Sequence, residues 1–131
     1  MILVDTSAWV AFLRGTDSPA RARVRELLRL GELATCEVVR LEVLAGARDE
    51  GHLHTLQGTL ARATLLSIVP ADYDNAAALY RHCRRRGTTV RQLLDCLIAA
   101  VAIRNGVPVL HDDRDFDALA RHTELEVYAG S

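Results

Sequence analysis

Lysine is missing from this 131-residue chain; all sixteen of its basic residues are arginine. Chemistries that set a lysine ammonium beside a phosphate are therefore excluded. Cysteine is scarce. Cys36, Cys83 and Cys96 are widely separated and form no Cys-x-x-Cys pair, which argues against a disulfide framework or a zinc site and leaves reduced thiols. Long apolar runs are lacking too. The longest, Cys96 to Ile103, is far too short to cross a bilayer, and no membrane association is expected. The first residues lack the basic, apolar and small-residue regions of a signal peptide, so a cytoplasmic location is expected. There is no glycine-rich phosphate loop, no linker, no repeat and no low-complexity tract. Excess charge of one sign is absent as well. A net charge of −1 gives no support by itself for nucleic-acid binding, which would require acids gathered at one site with arginines around it.

What is present is a balanced globular composition. Half of the residues are hydrophobic and a quarter charged, enough for one core and one domain over 1–131. Apolar β-type runs alternate with helical stretches. Ile2 to Val4 is a short buried strand, followed by a helix from Ala8 to Arg14 with Thr6 or Ser7 as its N-cap. Ser18-Pro19 opens a second helix that Gly31 stops. A strand at Leu33 to Cys36 leads into a helix carrying Glu42. His52 to Ala63 is helical, Leu65 to Val69 a strand, and Ala71 to Arg86 a helix stopped by Gly87. The helix from Val90 to Arg104 is apolar nearly all round after Asp95, the pattern of a buried helix. Val109 to His111 is a strand, Asp115 to Arg121 a helix, and Leu125 to Tyr128 a last strand. The alternation predicts an α/β fold: a mainly parallel twisted sheet of about four to five strands, with helices on both faces.

Four acidic positions stand out against this pattern: Asp5, Glu42, Asp95 and the run Asp112-Asp113-Arg114-Asp115. Each sits where a strand ends or on a helix, in an apolar setting. Ordinary explanations exist for each. Asp5 suits a helix start, Glu42 a solvated helix face, and Asp95 the favourable field of a helix N-terminus, worth roughly 1 kcal/mol. Asp112, Asp113, Asp115 and Asp117 crowd six positions and repel one another. Parallel sheets place ligand sites at the carboxyl ends of their strands, so the acids can meet in one cleft. Carboxylates converging in apolar surroundings call for a cation, and oxygen ligands favour magnesium or manganese.

The local sequences carry a family resemblance. Met1-Ile2-Leu3-Val4-Asp5-Thr6-Ser7-Ala8-Trp9 resembles the opening of PIN-domain ribonucleases, especially the VapC toxins of bacterial toxin–antitoxin pairs. Leu41-Glu42-Val43-Leu44-Ala45-Gly46, Thr89-Val90-Arg91-Gln92-Leu93-Leu94-Asp95-Cys96-Leu97-Ile98-Ala99-Ala100 and Val109-Leu110-His111-Asp112-Asp113-Arg114-Asp115-Phe116-Asp117 are similar to the remaining blocks, in order. A lone Asp-Thr-Ser is weak; four blocks together are strong. The resemblance implies a PIN-like fold and a metal-dependent endoribonuclease. Its catalytic and metal-binding acids fall on Asp5, Glu42, Asp95 and Asp113, with Asp115 as a further ligand and Ser7 or Thr6 bracing the site. Mg²⁺ is implied, with Mn²⁺ able to substitute. Metal-activated water would hydrolyse RNA and leave 5′-phosphate and 3′-hydroxyl ends, with Asp95 a candidate general base. The resemblance also implies a small VapB-like antitoxin and a homodimer.

Arg91 precedes the Asp95 helix at a position that is basic in similar toxins, and with Arg85 and Arg86 it is a candidate RNA contact. The arginines before Gly87 equally complement a helix C-terminus. Trp9 is expected in the core or at a subunit interface, Phe116 beneath the acidic loop, and His52 and His54 at the surface. His111 is a strand-end residue beside the acids. Two other functions compete. A catalytically silent PIN domain binding RNA or protein would normally lack one of the acids, and none is missing. A Mg²⁺-dependent phosphoryl-transfer domain also places an aspartate after its first strand, but uses a lysine that this chain lacks.

Overall fold

Two central strands lie side by side although nearly the whole length of the chain separates them. In the computed structural model, which describes residues 1–128, β1 (Ile2–Val4) pairs in parallel with β4 (Val109–Leu110), Leu3 opposite Val109 and Val4 opposite Leu110. On its other side β1 pairs with β2 (Leu33–Thr35), which in turn pairs with β3 (Thr64–Leu65). The order is β3-β2-β1-β4 and every pairing is parallel. Among the described residues seven helices surround the sheet: α1 (Thr6–Leu13), α2 (Pro19–Leu30), α3 (Glu37–Ala45), α4 (Glu50–Leu60), α5 (Pro70–Arg85), α6 (Leu93–Asn105) and α7 (Arg114–His122). The chain moves outward from β1 to β3 and then crosses back to β4. The strand order therefore reverses between β1 and β4, and a crevice opens at their carboxyl ends.

The core follows from the apolar runs. Leu3, Val4, Trp9, Val39, Ile98, Val101, Leu110, Phe116 and Leu119 are buried in one cluster. Helix α6 is buried continuously from Asp95 to Ala102, as a helix apolar on all sides must be. Trp9 belongs to this core and meets Phe12 edge-on, with ring centroids 6.3 Å apart. The three cysteines are buried and unpaired. Gly31 and Gly106 end α2 and α6 in the left-handed conformation, at φ 70° and 65°, which a residue without Cβ adopts at no steric cost.

Several boundaries differ from the sequence expectation, each for a local reason. Helix α1 starts at Thr6, because Asp5 itself is the N-cap and accepts from the Ser7 amide at 3.0 Å. Strand β3 stops at Leu65 and does not run to Val69. The Glu37 carboxylate takes the Ile68 amide and Asp72 takes that of Val69, so those donors leave the sheet. Helix α6 starts at Leu93 instead of Val90, since Arg91 and the Gln92 amide are held by Asp115. Helix α4 begins at Glu50, capped by Asp49 through the His52 amide, and so takes in the His52–His54 segment from its start. His54 is exposed and His52 partly so. The predicted fifth strand, Leu125 to Tyr128, is a single parallel bridge from Val127 to Val109. A two-residue β4 offers it only the Val109 amide and carbonyl.

Candidate active site

The reversal between β1 and β4 places Asp5 on one side of the crevice and the Asp113 loop on the other. Asp5 leaves β1 in extended conformation and is 2% exposed. Ser7 holds it twice, through its amide and its hydroxyl, which both donate to Asp5 Oδ2. The same Ser7 Oγ accepts from the Asp112 amide at 2.8 Å. One hydroxyl thus ties the end of β1 to the loop after β4. Thr6 points elsewhere and donates to Glu42 Oε1 at 2.8 Å, which tethers the exposed Glu42 on α3 toward Asp5. The hydroxyls of Ser7 and Thr6 thus contact different acids, Asp5 and Glu42.

Asp95, in the first turn of α6, is buried and projects from a helix of core residues. Asp113 caps α7 by accepting from the Asp115 amide at 2.9 Å. The His111 ring accepts from the Asp113 amide at 3.0 Å and packs on Phe116, with centroids 5.3 Å apart. Phe116 is fully buried under the loop. Asp95, Asp113 and Asp115 each present an oxygen, and the three lie within 4.8 Å of one another. Asp5 borders this group, close enough for its charge to act on Asp95; Glu42 adds a weaker charge from the rim. Of the adjacent acids after β4, Asp113 and Asp115 turn inward while Asp112 is exposed.

The electrostatics show the cost of this gathering. Burial, then the charges of Asp5, Asp113, Asp115 and Glu42, push the Asp95 carboxyl up to about 8. Burial also raises Asp5 above its ordinary range, against the lowering effect of the Ser7 hydrogen bonds. Asp5 Oδ1 and Asp95 Oδ2 are buried with no hydrogen-bond partner. A buried carboxylate oxygen without a donor is costly. Asp95, Asp113 and Asp115 offer carboxylate oxygens, a donor set suited to a hard divalent cation. Asp95, Asp113 and Asp115 therefore fit such an ion, and the orphaned oxygens of Asp5 and Asp95 are groups that a nearby positive charge would stabilise.

The candidate RNA contacts divide. Arg91 enters the cluster, with Nε 3.1 Å from Asp115 Oδ1 and a terminal nitrogen 3.1 Å from Asp113 Oδ1. Arg85 and Arg86 stand at the exposed end of α5, where Arg86 donates to the His82 ring at 3.0 Å; neither joins the acids. The fold also brings forward residues that the sequence pattern did not single out. Arg114 and Arg121 of α7 line a cavity of about 510 Å³ with Thr88, Thr89, Arg91 and Ala118. Their spacing of seven was the available signal, since it puts both on one helix face, but the aspartates between them mask it. A larger cavity, about 690 Å³, lies away from the carboxylates between α5 and α6, among Leu79, His82, Ala100, Ile103 and Arg104.

Known proteins share both the sequence and the fold. A family model described as the PIN domain matches residues 2–122. The chain is 46% identical over 129 residues to a VapC ribonuclease of Mycobacterium bovis and to Ribonuclease VapC11 of Mycobacterium tuberculosis, covering 96% of each chain. Among solved structures, VapBC2 of Rickettsia felis bound to a promoter DNA fragment aligns with a TM-score of 0.77 at 19% identity, over 98% of both chains, and shares the fold. VapBC-5 of Mycobacterium tuberculosis aligns at 0.65 with 27% identity, over 95% of this chain and 94% of that one. With a family match over nearly its whole length and relatives of this identity, the chain belongs to the PIN-domain family and, within it, to the VapC ribonucleases.

Proposed function

We propose that this protein is a divalent-metal-dependent endoribonuclease, the toxin of a VapBC-type toxin–antitoxin pair. The observation that carries the proposal is the meeting of Asp95, Asp113 and Asp115 beside Asp5, with two buried carboxylate oxygens left without donors. Asp5, Asp95, Asp113 and Asp115 hold the ion, Mg²⁺ or in its place Mn²⁺, and Glu42 closes the rim. When bound there, a divalent ion would neutralise the acids and would supply Lewis acidity toward a phosphate oxygen and toward an attacking water. Ser7 fixes the direction of Asp5 and the height of the 112–115 loop. The buried walls formed by Leu110 and Phe116 keep these groups in one arrangement. Water attack at phosphorus breaks the bond to the 3′ oxygen, which leaves a 5′-phosphate and a 3′-hydroxyl.

The partner reading rests on the relatives and on the rim. Leu41 beside Glu42, and Leu93 and Leu94 before Asp95, are exposed at 66%, 60% and 44%. Apolar side chains around an acidic centre suit an antitoxin segment that is apolar with a basic residue. A homodimer and a cytoplasmic location complete the proposal; no helix among the described residues is long and apolar enough to cross a membrane.

The test is cleavage of total RNA by purified protein with Mg²⁺, with Mn²⁺ and with EDTA, beside Asp5→Asn and Asp95→Asn. Discrete cuts that need the metal and vanish in both variants are expected. A folded, metal-loaded wild type that cuts nothing the variants spare would put a silent binding domain ahead.

A further inference from the structure

The 510 Å³ cavity beside the carboxylates is an arginine-rich recess that shares Asp115 with the metal cluster and extends away from Asp95 and Asp113. Arg114 and Arg121 stand two turns apart on α7, about 10 Å along the axis, and Ala118 between them leaves the space open. Thr88 and Thr89 form the facing wall. Two acids also line it, and both are engaged. Asp115 receives Arg91 and the Gln92 amide, while Asp117 faces the His111 ring at 3.2 Å. Arg114 and Arg121 form no ion pair with any described residue. An anion entering the recess would meet two guanidinium forks and the Thr89 hydroxyl, while Thr88 Oγ1 pairs with the His122 ring at 3.2 Å.

Resting on the nuclease reading above, we propose that this recess is a phosphate subsite for the RNA strand, in which Arg114 and Arg121 hold a backbone phosphate next to the one at the carboxylates. Continuity supports a strand over a peptide. Asp115 and Arg91 border both the recess and the carboxylate centre, so a polymer with its reacting phosphate at the centre extends its next anions into the recess. A peptide able to cover the acids must be basic there and would be repelled by Arg114 and Arg121. Guanidinium also matches phosphate with two parallel hydrogen bonds. Contacts of this kind position the strand and carry no base preference. The subsite acts on affinity and register, and the target sequence is read elsewhere.

The experiment uses the full chain carrying Asp95→Asn, so that RNA stays intact. Binding of a fluorescein-labelled single-stranded RNA is followed by anisotropy in Mn²⁺ over a range of KCl. Arg114→Gln/Arg121→Gln in that background is compared with Arg14→Gln/Arg25→Gln, which removes the same charge elsewhere. Thermal melts confirm folding, and Arg114→Lys/Arg121→Lys tests whether charge alone restores binding. The recess pair is expected to weaken binding of unrelated RNA sequences alike and to lower the slope of log K against log salt by about 0.7 for each phosphate that is no longer neutralised. The control pair keeps the parent slope. If the parent binds RNA and the recess pair leaves its slope unchanged, the subsite is wrong and the nuclease reading stands. If the parent binds no RNA at any salt, the nuclease reading fails, and the subsite with it. A labelled oligoglutamate that binds as tightly as RNA and loses affinity in the recess pair would reassign the recess to an acidic peptide.

Discussion

Arg91 Nε lies 3.1 Å from Asp115 Oδ1, and the other arm of the same guanidinium reaches Asp113 Oδ1 at 3.1 Å. One side chain thus supplies the positive charge that two of the converging carboxylates need. It approaches oxygens that a metal ion would use, so the two cations compete. Arg91 is about half exposed, which weakens its hold through solvent screening. Arg91→Gln is expected to tighten Mn²⁺ binding by up to about fivefold, measured by titration calorimetry without RNA. Weaker binding in the variant would show that Arg91 orients the acids and does not compete for them.

Ser7 joins the two halves of the crevice through one hydroxyl. Ser7→Ala removes a hydrogen bond to Asp5 and leaves the Asp112 amide without its acceptor. A stability loss of about 1–3 kcal/mol is expected in chemical denaturation, together with weaker metal binding. Thr6→Ala releases only the exposed Glu42 and should cost less than Ser7→Ala in both measurements. Equal losses would contradict the division of labour between the two hydroxyls.

The metal-free protein should lose stability as pH rises. Asp95 is pushed up to about 8 in the fold but titrates near 3.9 when unfolded. Between these values the folded state holds a proton that the unfolded state has released. Stability therefore falls with rising pH across this window. It is greatest, as far as Asp95 contributes, below about 4 and is lost by the time pH passes about 8. Melting temperatures in EDTA at intervals from about pH 5 to about pH 8.5 should fall, and Asp95→Asn should flatten the trend. Saturating Mn²⁺ should flatten it as well, and its binding at about pH 7 should release a proton. A melting temperature that rises with pH in EDTA would overturn the assignment.

Asp72 carries a structural load apart from the crevice. It is fully buried, caps α5 through the Val69 amide, and receives both arms of Arg104 at 2.9 Å. The Arg104 guanidinium holds the Asp72 carboxyl below its ordinary range. This contribution is present above the unfolded value and fades as pH falls through the lowered folded one, opposite in sign to that of Asp95. Asp72→Asn should destabilise the protein by about 1–3 kcal/mol while metal affinity stays at the wild-type level. A change in metal affinity in a folded variant would show coupling between this pair and the crevice.

Element order and the buried helix after Asp95 were legible in the chain, because they depend on local periodicity and on residues near one another in sequence, whereas the acidic blocks were identified by their family resemblance. Strand–helix alternation implied a parallel sheet, and apolar surroundings marked Asp5 and Asp95 as costly. The boundaries were not legible where a distant side chain captured the backbone. Glu37 and Asp72 ended β3 early, and Asp115 delayed α6. That the acids could meet in one cleft was expected from the strand ends; the outward turn of Asp112 and the capture of Arg91 by two acids came only with the tertiary structure. So did the recess between Arg114 and Arg121. Composition and spacing determine which segments become strands and helices. Which charges then meet across the crevice depends on the β1–β4 crossover, a pairing of strands from opposite ends of the chain whose geometry no local pattern encodes.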